Sequence, residues 1–112
     1  RGFLDACRAN DVPALAIRAV QAGALTSKMD RELAADDPDQ LDFDRAVGFR
    51  KLAAEWGQTP ARLAHRYALS IPDVGSVILG VKNREELQEC LDAERDPRLT
   101  REEIALVEAA CQ

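Results

Sequence analysis

The stretch SVILGVKNREELQECL, Ser76 to Leu91, decides how the whole chain is read. A short apolar run from Ser76 to Leu79 ends at Gly80, Lys82 follows within two residues, and an acidic segment then places Leu87 and Leu91 at helical spacing. The pattern is strand, turn, helix. The strand is apolar throughout, as one covered on both faces would be, and the helix is expected from Asn83 or Arg84 to about Ala93. In parallel sheets ligands bind where the chain leaves the carboxyl end of a strand for a helix. Gly80, Val81, Lys82, Asn83 and Arg84 occupy that place. Glycine lets backbone approach a ligand closely, and the helix start presents unpaired N–H groups. Lys82 and Arg84 then make an anion site, most naturally for a phosphate. The same residues also describe an ordinary strand-to-helix turn with exposed basic side chains.

Upstream, TPARLAHRYALS (59–70) opens with an N-cap threonine and an N1 proline, so a helix runs to Ser70 with Leu63, Ala64, Tyr67, Ala68 and Ile71 on its buried face. IPDVG then turns the chain. DRAVGFRKLAAEW (44–56) carries Ala46, Val47, Phe49, Leu52, Ala53 and Trp56 on one face, a helix capped by Asp44 and stopped at Gly57. Before it, the acidic segment 29–43 lacks periodicity and reads as a solvated connection with at most one short helical turn. Its aspartates, Asp36, Asp37, Asp39, Asp42 and Asp44, lack the glycine turn and terminal glutamate of a calcium loop. ALAIRAV (14–20) is a short, partly β-branched run followed by Gly23, a strand leading into a loop. FLDACRAN (3–10) reads as the tail of a helix, and Thr100 with Glu103 forms a capping box for a last helix to about Cys111.

Strands separated by helices imply parallel βαβ units. Two strands, at about 14–20 and 76–79, leave unpaired edges, so further strands are expected to pair with them from outside this sequence. The chain begins at Arg1 rather than methionine, which supports the same expectation.

Composition bounds the function. The chain has 112 residues, is 46% hydrophobic and carries a formal charge of -5. That is the size and apolar content of one small packed domain, and the negative balance argues against non-specific nucleic-acid binding. No run of about 18 apolar residues proposes a membrane span. Cys7, Cys90 and Cys111 are odd in number and widely separated, which fits reduced, partly buried thiols of a cytoplasmic protein better than a disulfide framework or zinc site. Lys82 and Arg84 are the only visible basic neighbours of Cys90, so inert thiols are the default. His65 is the single histidine. It and Tyr67 are two apart on a helix and so on different faces; Tyr67 reads as core, His65 as a rim or surface residue, and Trp56 as a packing residue.

Three segments resemble the aldo-keto reductase family, in the family's order. SVILGVKNREELQEC is similar to its strand, glycine, basic residue and helix bearing Gln and Glu-Asn. TPARLAHRYALS resembles its preceding helix, of the form TPAQLALRWAL, and AVQAGALTSK (19–28) resembles the loop PLxxGxLxGK after the seventh barrel strand. The resemblance implies an α/β fold, the C-terminal part of a (β/α)8 TIM barrel, with the N-terminal part of the barrel absent from this chain. It implies an NADP(H)-dependent oxidoreductase acting on a small carbonyl or alcohol. Gly80 and Val81 would pass beside the adenosine end of the cofactor, and Lys82, assisted by Arg84, would face its 2′-phosphate. Glu86, Glu89 and Cys90 fall where the family places its adenine-contacting Gln, Glu and Asn. Ala19, Val20, Gln21 and Ala22 would lie along the pyrophosphate, with Lys28 as the clamping base. The departures are Glu86 for Gln, Cys90 for Asn, and Arg18 for a serine near the nicotinamide. The family's catalytic tyrosine, lysine, aspartate and histidine sit on earlier strands, so no catalytic residue is expected in this segment, which alone would be inactive. Two other readings stand beside this one: a non-catalytic nucleotide-binding regulator of the same fold, and a small helical interaction module.

Overall fold

The computed structural model describes residues 2–29 and 31–111; Asp30, within the acidic connection, lies outside them. The chain runs α1 (Gly2–Ala9), β1 (Ala14–Ala16), a 3-10 turn (Gln21–Gly23), α2 (Pro38–Arg45), α3 (Val47–Glu55), α4 (Pro60–Ser70), β2 (Val74–Val77), α5 (Arg84–Arg95) and α6 (Arg101–Ala110). It is thus an α/β chain, with two parallel strands and six α-helices among the described residues.

The strands pair in parallel, Ala14 with Val74, Leu15 with Ser76 and Ala16 with Val77, with an irregularity after Ala14. The Ile78 N–H donates to Ala16 O at 2.8 Å and extends the ladder by one bond. β1 is shorter than the sequence predicts, and β2 has the expected length but lies two residues earlier. β1 stops at Ala16 because Arg18, Gln21 and Ala22 take left-handed backbone, with φ of 58°, 51° and 55°, which no extended strand accommodates. β2 begins at Val74, directly after the left-handed turn at Asp73, and its regular part ends at Val77 instead of Leu79. Nor is this strand pair covered on both faces among the described residues: Leu15, Ile17, Ile78 and Leu79 are all exposed.

Helix starts follow the local chemistry. Thr59 Oγ1 accepts the Arg62 N–H, with Pro60 at N1 of α4. Asn83 Oδ1 accepts the Glu86 N–H at the start of α5, and both bonds of the Thr100–Glu103 capping box form on α6. Gly57, at φ 68°, follows the end of α3.

The acidic connection departs from expectation. It folds into the two-turn α2, with Asp37 as N-cap accepting the Asp39 N–H and Pro38 at N1. Asp44 therefore lies inside α2, and Ala46 rather than an Asp44 cap joins α2 to α3. Arg50 holds the corner: its guanidinium lies 4.0 Å from the Phe43 ring centroid and donates to Phe43 O at 2.8 Å.

The core is aliphatic and small-residue rich. Ala46, Phe49, Ala53, Leu63, Ala64, Leu99 and Val107 are buried together, with Trp56, Tyr67, Val20 and Leu25 packed against them. Val47, expected on the buried face of α3, is exposed. Gly48 lets α3 approach α6, since a Cβ there would stand 2.6 Å from Ala110 O. On the far side of α4, Arg62 donates two 2.6 Å hydrogen bonds to Asp96 and fixes the end of α5. His65 is not a rim residue. It is buried, because α5 packs along that flank of α4 and sets Cys90 Sγ 3.3 Å from His65 Nε2.

Candidate functional site

A cleft of about 500 Å³ opens beyond the carboxyl ends of the two strands. Its walls are the loop after β1, the first turns of α4, the turn after β2 and the first turns of α5. The positive-φ residues that end β1 swing the chain outward, so Val20, Ala22 and Gly23 form one wall and carry Thr26, Ser27, Lys28 and Arg31 round the mouth. Arg31 braces this loop, reaching Ala22 O at 3.3 Å and Asp39 Oδ2 at 2.7 Å. The Thr26 hydroxyl donates to Gly23 O at 2.6 Å. Opposite, Gly80, Val81 and Lys82 leave β2 for α5.

Of the twelve residues that the family resemblance places along the cofactor, Val20, Ala22, Lys28, Gly80, Val81, Lys82, Glu86, Glu89 and Cys90 line this one cleft. Three do not. Gln21 faces a second cavity, beside Phe49 and Tyr67. Ala19 lies off the lining, and Arg84, at the first position of α5, is exposed and points no contact into it. The cleft also takes Thr59, Ala61 and His65 from α4. The sequence reading gives those residues no role in the cleft; they arrive because α4 packs on α5.

The electrostatics are mixed. Lys28, Arg31 and Lys82 bring positive charge, and Glu86 and Glu89 bring negative charge to the α5 side. Each carboxylate is engaged: Glu86 Oε2 accepts the Lys82 backbone N–H at 2.8 Å, and Glu89 Oε2 accepts the Thr59 hydroxyl at 2.6 Å. The floor is a neutral thiol–imidazole pair. Burial pushes the Cys90 thiol up, with Glu89 and Glu86 adding to it, and burial pulls His65 down against a smaller upward pull from Glu89. A thiol held protonated is a poor nucleophile. His65 Nδ1 is buried with no hydrogen-bond partner among the described residues.

What the geometry defines is an α/β protein with a cleft at the carboxyl end of its parallel strands, cationic on one wall and closed by a neutral polar floor. The model of the Aldo/keto reductase family matches residues 1–112, and the chain belongs to that family, whose activity is of the oxidoreductase type. No curated protein matches the chain.

Proposed function

We propose that the protein is an NADP(H)-dependent aldo/keto reductase that interconverts a small carbonyl compound and its alcohol, and that this segment holds the adenosine end of the cofactor. The observation that carries the reading is the position of Lys82: it lines the cleft two residues after Gly80 in the turn that follows β2, across from the loop of Lys28. A lysine there rewards the 2′-phosphate that distinguishes NADPH from NADH. Among the described residues nothing requires glycine at Gly80, since a Cβ there would meet none of their atoms within 4 Å. Close approach of a ligand accounts for it.

When bound, the cofactor supplies the hydride. The residues of this chain bind and orient: Lys82 and Lys28 neutralise phosphate, Val20 and Ala22 offer backbone, and the Cys90–His65 floor takes the adenine region. Catalytic residues belong to strands outside this segment. The exposed apolar side chains of Leu15, Ile17, Ile78 and Leu79 support that arrangement, because parallel strands are covered on both faces in closed barrels. Free thiols at Cys7, Cys90 and Cys111 fit a reducing, cytoplasmic setting. No helix among the described residues is long and apolar enough to cross a membrane.

The test is cofactor titration of the protein and its Lys82→Ala variant. Losing one charge-assisted contact weakens NADPH by about 1 to 3 kcal/mol and leaves NADH within about twofold. Equal losses for both cofactors overturn the assignment. Tight NADPH binding without turnover of any carbonyl substrate would instead favour a regulatory protein of the same fold.

A further inference from the structure

Glu86 stands apart from the other cleft residues in what its carboxylate holds. In a capping box the N3 carboxylate reaches back to the N–H of the N-cap residue itself. α6 does this, Glu103 Oε1 accepting the Thr100 N–H at 2.9 Å. α5 starts the same way, with Asn83 Oδ1 accepting the Glu86 N–H at 2.9 Å, but the Glu86 carboxylate passes its own N-cap and takes the Lys82 N–H at 2.8 Å. A full negative charge thus rests on the backbone amide of the residue whose side chain brings positive charge to the same cleft. Glu86 is half-buried there, and both residues line the cleft.

We infer that Glu86 is a specificity-determining residue: a resident carboxylate that occupies the anion position at Lys82, so that a ligand's phosphate binds there only by displacing it or by enduring its repulsion. The inference rests on the cofactor reading above. A phosphate monoester carries about 1.5 to 2 negative charges. Set beside a carboxylate in a partly solvated cleft, it is opposed by a repulsion that salt attenuates. Displacement instead forfeits a charge-assisted bond to the amide. Both effects fall on the 2′-phosphate. NADH shares the adenine, riboses and pyrophosphate with NADPH, so the ratio of their affinities isolates Glu86 from any general change in the cleft. Glu86 in this role sets how far the cleft favours NADPH, opposing Lys82 with an internal competitor.

Isothermal titration of NADPH and NADH into the protein and its Glu86→Gln variant at low salt tests this. Glutamine keeps an amide oxygen for the Lys82 N–H, so the turn persists while the charge is removed. The expected result is that NADPH binds about five- to tenfold tighter, NADH changes by less than about twofold, and the gain shrinks at 0.5 M salt, roughly as screening requires. Glu89→Gln serves as the control, since the Thr59 hydroxyl holds that carboxylate, and it gives a clearly smaller gain. Unchanged or weaker NADPH binding in Glu86→Gln, equal gains for both cofactors, or an equal gain from Glu89→Gln overturns the inference. Failure of the unsubstituted protein to bind either cofactor overturns the cofactor reading as well. An NADPH preference that Lys82→Ala abolishes, with no gain from Glu86→Gln, overturns this inference alone.

Discussion

Lowering the pH should unload the protein's stability through His65 before any carboxylate titrates. The imidazole is 8% exposed, has a thiol rather than a carboxylate at Nε2, and finds no partner for Nδ1 among the described residues. Charging it there costs solvation that Glu89 only partly returns, so its folded pKa lies below the ordinary value of 6.5. The sign follows from linkage. The unfolded chain takes up the proton first, so the contribution is fully present above pH 6.5 or so and is lost as pH falls through the depressed folded value. Each unit of depression is worth about 1.4 kcal/mol. Because His65 is the single histidine, the window between about pH 7.5 and 5.5 reports on it with little interference from side-chain carboxylates. The assay is equilibrium urea unfolding across that window, for the protein and for His65→Leu. The unsubstituted protein should lose stability below about pH 6.5, while the leucine variant stays flat. At pH 8 the variant should be within about 1 kcal/mol of the parent or above it, since a weak S–H···N contact is exchanged for relief of an orphaned buried nitrogen. Parallel pH curves for the two proteins would refute the reasoning.

Gly48→Ala ordinarily favours a helix by about 1 kcal/mol, but here the new Cβ meets Ala110 O at 2.6 Å. The variant should therefore be less stable by about 1 to 2 kcal/mol, and a raised melting temperature would count against the α3–α6 contact. Asp96→Asn removes the carboxylate charge and one of the two acceptors that Arg62 uses, and should cost about 1 kcal/mol after allowance for solvent screening. Arg62 holds the Asp96 carboxyl below the usual carboxylate range. That stability is present above about pH 4 and lost as pH falls through the folded value; acid unfolding curves of parent and variant that stay equally separated down to pH 2 would contradict it.

Where the sequence carried its own local chemistry, the fold was legible. Thr59 with Pro60, Asn83, and Thr100 with Glu103 each start a helix by bonds within one turn, and all three form. α2 was hidden because its acidic composition reads as solvated chain. Asp37–Pro38 is a valid start, but Arg50 on Phe43 and Arg31 on Asp39 hold it from a distance. The end of β1 was hidden for another reason: Arg18, Gln21 and Ala22 adopt left-handed backbone without being glycine, and no composition signal announces that.

The cleft divides along the same line. Gly80, Val81 and Lys82 follow from a strand-turn-helix pattern, whereas Glu86, Glu89 and Cys90 are singled out only by the family resemblance. Thr59, Ala61 and His65 come from another helix, and only the packing of α4 on α5 brings them to the wall. Periodicity placed His65 on the rim because it scores each helix alone. Cys90 on the neighbouring helix is what buries it.

The central claim, that the turn after β2 receives the cofactor's 2′-phosphate, is met most directly by a crystal structure of the NADPH complex. The account predicts that phosphate within hydrogen-bonding reach of Lys82 in the cleft shared with Gly80 and Glu86, and the Glu86 carboxylate moved off the Lys82 amide. NADPH bound with its 2′-phosphate away from Lys82, or outside this cleft, would contradict it.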